Sequence, residues 1–167
     1  PLAVPPVDAG AEPAIRQILR LVADADAVLA TGHLGPEEVA WLVGAARRWG
    51  VRRVLVTHPF FPVPGLDPAR MRELAKQGAY AEVTAFQLLH QPGMTAARLA
   101  GLVRAVGDRR CVLSSDAGQP DSPPPPEALD RLVGELGVQG LDRGALRAMA
   151  SQVPADLVLV DRTPGGG

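Results

Sequence analysis

The sequence predicts an α/β chain in which parallel strands alternate with helices in about four βα units. Two observations carry this. Continuous apolar runs at residues 27–30, 54–56 and 111–113, with a further run at 79–85, read as strands covered on both faces. Between them lie segments with apolar residues at i, i+3, i+4 and i+7, one face of a helix each.

Taken in order, Ile15, Ile18, Leu19 and Val22 form the first stripe, ahead of the strand at 27–30. Pro36 fits a first helical turn, and Glu37 and Glu38 suit the positive end of a helix whose stripe is Val39, Leu42, Val43 and Ala46. Pro68 opens the helix after the second strand, and the third strand spans 79–85. Leu99, Leu102, Val103 and Val106 follow, with Gly50, Gly78 and Gly107 where helix C-terminal glycines fall. His90 lies in what reads as a solvated loop. Residues 119–126 hold five prolines and read as a stiff loop after the fourth strand. Leu129, Leu132, Val133 and Leu136 form the next stripe, and 142–150 a last short helix. Residues 1–162 are expected to form one domain and 163–167 a disordered tail. Units of this kind build either an open doubly wound sheet or a closed barrel.

Composition narrows the function classes. The 167 residues are 47% hydrophobic, enough for one core, and the formal net charge of −1 gives no reason to expect nucleic acid or an anionic membrane as partner. Of the basic residues only Lys76 is lysine, and the arginines are scattered rather than gathered for phosphate. The single cysteine, Cys111, excludes an intramolecular disulfide and is expected to be a small buried residue. No apolar run reaches the ~18–20 residues of a membrane span. No signal peptide is visible, so a cytoplasmic location is expected.

In parallel architectures function gathers at the carboxyl ends of strands. There the sequence places His33 after Thr31-Gly32, His58 after Val56-Thr57, and Asp116 after Ser114-Ser115. Glu82, within the third strand, is a possible further ligand or substrate contact. Imidazole and carboxylate are the usual ligands of zinc and related ions in open catalytic sites. Such an ion acidifies water, and a nearby carboxylate can take its proton. Thr31, Thr57, Ser114 and Ser115 either orient the ligands or simply satisfy local backbone. Trp41 and Trp49 read as packing.

These residues carry a resemblance. Leu29-Ala30-Thr31-Gly32-His33-Leu34, Pro36-Glu37-Glu38, Val56-Thr57-His58-Pro59, Gly78-Ala79-Tyr80-Ala81-Glu82 and Leu113-Ser114-Ser115-Asp116-Ala117-Gly118-Gln119-Pro120 together resemble the latter half of amidohydrolase-superfamily proteins. The likeness runs from about residue 12 to 155 and is nearest to uncharacterised members. It implies half of a (β/α)8 TIM barrel. His33 and His58 take the places of the fifth- and sixth-strand metal ligands. Asp116 takes that of the eighth-strand aspartate, metal ligand and general base. The implied cofactor is a divalent ion, zinc foremost, and the implied reaction is attack of metal-activated water on an amide, ester or lactone carbonyl of a small molecule. The family's His-x-His is absent, since the three histidines are 33, 58 and 90. The expectation is therefore an incomplete barrel. It is a fragment, as the start at Pro1 suggests, or a half-barrel that pairs with a copy or with a missing N-terminal half, or an open sheet that has lost catalysis. The alternative is a non-catalytic α/β binding or structural domain.

Overall fold

The computed structural model describes residues 3–158; the tail expected at 163–167 lies outside them. Four strands form one sheet in the order β1-β2-β3-β4, all parallel: β1 Val28–Ala30, β2 Arg53–Val56, β3 Tyr80–Thr84 and β4 Cys111–Ser114. The α/β class and the four parallel strands are as the sequence predicts.

The helices are α1 Glu12–Asp24, α2 Pro36–Arg48, α3 Pro68–Lys76, α4 Ala85–His90, α5 Ala96–Val106, α6 Pro125–Val138, α7 Arg143–Arg147 and α8 Val153–Val158. Their starts follow from local chemistry. Glu38 folds back to accept from the Gly35 N–H at 2.8 Å and so closes the first turn of α2. Asp67 accepts from the Arg70 N–H at 2.8 Å at the head of α3. Two boundaries differ from expectation. The third strand stops at Thr84, whose hydroxyl accepts from Gln87 N–H while Gln87 Oε1 accepts from Thr84 N–H, so α4 begins there. The proline segment is loop only to Pro124, because Pro125 and Pro126 occupy the first turn of α6, where a missing N–H costs nothing. Beyond α7 the chain continues through a π-helical stretch, Ala148–Gln152, into α8.

The winding is sequential rather than doubly wound. Leu19 of α1, Val39 and Val43 of α2, Met71 of α3, Leu99 and Val103 of α5 and Leu132 of α6 share one core with Val54, Val56, Ala81, Val83, Cys111 and Leu113 of the strands. The other face carries Val28, Leu55, Tyr80 and Val112, covered by Val153 and Leu157 of α8. Strand order without reversal, with the crossover helices in one core, is the arrangement of half a (β/α)8 barrel. No helix among the described residues is long and apolar enough to cross a membrane.

Candidate functional site at the carboxyl ends of the strands

The ends of β1 and β2 are clamped together. Thr31 Oγ1 accepts from the Thr57 N–H, and Thr57 Oγ1 accepts from the Gly32 N–H, both at 3.1 Å. Each hydroxyl replaces a rung where the sheet ladder stops. Just beyond, each strand turns through a left-handed residue: Gly32 at φ +60° and His58 itself at φ +28°. At Gly32 a side chain would meet open space, so the glycine answers the backbone angle alone. His58 has no such freedom, and its conformation stores strain of the kind that persists where the surroundings hold it.

The two turns bring the imidazoles together, their planes tilted by 54°. His33 Nε2 and His58 Nε2 are 3.1 Å apart, with ring centroids at 4.7 Å. His33 is exposed and His58 is buried, so the pair opens to solvent from one side. His58 Nδ1 is buried with no hydrogen-bond partner.

Glu82 holds the pair from beneath. It sits on the same face of the sheet as Tyr80 and Val112, half-buried. Its Oε2 accepts from the His58 N–H at 3.2 Å and its Oε1 from the Ser114 hydroxyl at 2.9 Å. The carboxylate thus fixes the strained turn that aims His58.

Asp116 lies two residues beyond β4 in a left-handed conformation, φ +49°, and is exposed. Among the described residues no three His, Cys, Asp or Glu side chains are placed together to hold a metal ion. The histidines are brought together; Asp116 is not joined to them, and Glu82 reaches His58 through its backbone. For the two histidines the fit is good. An ion at roughly 2.0–2.1 Å from each of two nitrogens separates them by roughly 3.0–3.4 Å. Ser115 lies on the same loop and accepts weakly from Ala117 N–H at 3.4 Å.

A row of rings continues from this pair, and no pattern along the chain announces it. His58 stacks on Phe61 at 5.2 Å, Phe61 on Phe86 at 5.6 Å, and Phe86 on His90 at 4.8 Å. His90 is half-buried rather than solvated, with Nε2 2.9 Å from Ser122 Oγ and Nδ1 3.5 Å from Asp121. The Ser122 hydroxyl also donates to Gln119 Oε1 at 2.9 Å. One partial signal exists: Thr84-x-x-Gln87 is a capping box, and the helix it starts sets Phe86 and His90 four residues apart on one face.

Cys111 is buried, and burial pushes its thiol up to about 12, so it is no nucleophile. Trp41 and Trp49 pack against the core, with Arg16 and Arg20 over the Trp49 ring.

The profile of DUF6282, a family of unknown function, matches residues 3–82, a segment that contains His33, His58 and Glu82 and stops short of Asp116. A comparison with curated proteins finds no match to the chain.

Proposed function

We propose that this rim is the later-strand half of a metal-dependent hydrolase site, acting on an amide, ester or lactone carbonyl of a small molecule. The observation that supports it most is the 3.1 Å approach of His33 Nε2 and His58 Nε2 across adjacent strands. Each Nε2 offers a lone pair when its ring is neutral with the proton on Nδ1, and together they would hold a divalent ion, zinc foremost. Such an ion supplies Lewis acidity, polarising a carbonyl and lowering the pKa of nearby water. Glu82 keeps His58 aimed, and Asp116, on the loop after β4, would serve as the base for the attacking water once the remaining ligands complete the site. The remaining ligands come from outside this sheet, supplied by a first-strand half-barrel or a second copy. The setting is cytoplasmic, without nucleic acid.

The second reading is a non-catalytic α/β domain. It is favoured by the same contact, because one imidazole donating to the other satisfies both Nε2 atoms without a metal. Zinc titration of protein purified without chelator, against His33→Ala and His58→Ala, separates the two. The hydrolase reading expects zinc binding that weakens by about 100-fold or more in each variant. Absence of binding, or binding indifferent to both changes, would sink it.

A further inference from the structure

The chain is poor in aromatic residues, and their distribution is uneven. Its core is built from Val, Leu, Ala, Met and Cys111, with Phe60 the only Phe buried in it and Trp41 and Trp49 packed against it. The other two phenylalanines and all three histidines form the row at the carboxyl-end rim. Rings wanted only for packing bury most area inside the core. Phe61 and Phe86 instead stay only half-buried, Phe61 in the loop after β2 and Phe86 in the first turn of α4, beginning 5.2 Å from His58. They are also held. The Phe86 N–H donates to Ser115 O at 3.1 Å, tying the start of α4 to the end of β4. The Gln91 side chain donates to Phe60 O at 3.0 Å, tying the end of α4 to the loop that carries Phe61. A fixed, half-buried aromatic wall leading away from the histidine pair offers faces and edges on which a flat apolar group can pack.

We infer that Phe61 and Phe86 form the wall that receives the acyl side of the substrate, which is an aromatic carbonyl compound: an aryl amide, ester or lactone. With the carbonyl at the histidine pair, a directly attached ring lies one ring's distance away, over Phe61, and a second fused or linked ring reaches Phe86. His90, held by Ser122 and Asp121, closes the far end with polar groups. This substrate class rests on the hydrolase reading of the same site.

The test uses zinc-loaded full-length protein and two probes that share one zinc-chelating head, benzohydroxamate and acetohydroxamate. Their affinities are measured by calorimetry beside zinc content. Benzohydroxamate is expected to bind at least about tenfold more tightly. Phe86→Leu and Phe61→Leu are each expected to reduce that preference by about three- to tenfold with zinc content unchanged. Zinc bound but equal affinity for the two probes, or a preference that survives both variants, overturns the aromatic wall and leaves the metal site standing. Failure to bind zinc overturns the metal reading and the substrate class with it. Should either variant lose its fold, shown by circular dichroism, the wild-type preference between probes still decides.

Discussion

The two ends of the sheet are built by different rules. At the amino end every strand is anchored by complementary charge or by an arginine. Asp26, before β1, pairs with Arg52 at 2.8 Å and with Arg53 at 2.7 Å, at the start of β2. Arg110, before β4, donates to Gly78 O at 3.1 Å and lies over the Tyr80 ring at 4.8 Å, at the start of β3. Three of the tight turns there fall on glycines, Gly50, Gly78 and Gly107, with φ of +86°, +97° and +99°, and the non-glycine left-handed residue, Asp26 at φ +47°, is held by its two arginines. At the carboxyl end the left-handed positions include His58 and Asp116, and the buried Nδ1 of His58 has no partner. The amino end is arranged for stability. The carboxyl end combines left-handed His58 and Asp116 with a buried nitrogen that has no partner, and strain of this kind concentrates at functional sites in proteins generally.

The contrast can be broken experimentally, and the largest effect is expected at Glu82. Glu82→Ala removes the acceptor of His58 N–H and Ser114 Oγ–H together. It should cost about 1–3 kcal/mol in denaturant unfolding and weaken zinc binding about 10- to 100-fold by releasing the His58 turn. Unchanged zinc affinity would show that Glu82 does not position the ligand. A smaller effect, of opposite sign, is expected at Asp116→Gly. Relief of the left-handed backbone should stabilise the fold by about 0.5–1 kcal/mol, read as a raised thermal midpoint. A lowered midpoint would mean that the Asp116 side chain contributes more to the fold than its backbone angle costs.

The smallest effect belongs to the amino end. Hydrogen bonds from Arg53 and Arg52 hold the Asp26 carboxyl below its usual range. Its folded pKa lies below its unfolded one, so its contribution is present above the ordinary Asp range and fades as pH falls through the depressed value. Asp26→Asn should therefore lower stability slightly at neutral pH, less in high salt, and match the wild type in strong acid. A difference that persists in acid would place the effect elsewhere than in the charge.

His33 and His58 are legible in the sequence because a parallel strand's end follows from its apolar run, and the residue two or three places on must lie at the rim. Thr31 and Thr57 are legible for the same reason, and their reciprocal bonds bear that out. Glu82 is half legible. Alternation gives its face, but that its oxygens meet His58 N–H and Ser114 depends on how β3 registers against both neighbours. Phe61 belongs to the loop after β2, Phe86 and His90 to the short helix after β3, and no local pattern links the two segments. Only the capping box at Thr84 hints that Phe86 and His90 share a helix.

By itself the sequence determined the alternation of strands and helices, the stops at proline and glycine, and which chemical groups stand at the strand ends. Hydrophobic period and capping are local properties, so a linear reading recovers them. The tertiary structure decided the rest: that the crossover helices share one core with the sheet, that two imidazoles meet at 3.1 Å while Asp116 is not gathered with them, and that five rings line up along the rim. Those outcomes depend on register and on single left-handed residues, each of which re-aims a side chain by the turn of one backbone angle. No spacing along the chain encodes that turn.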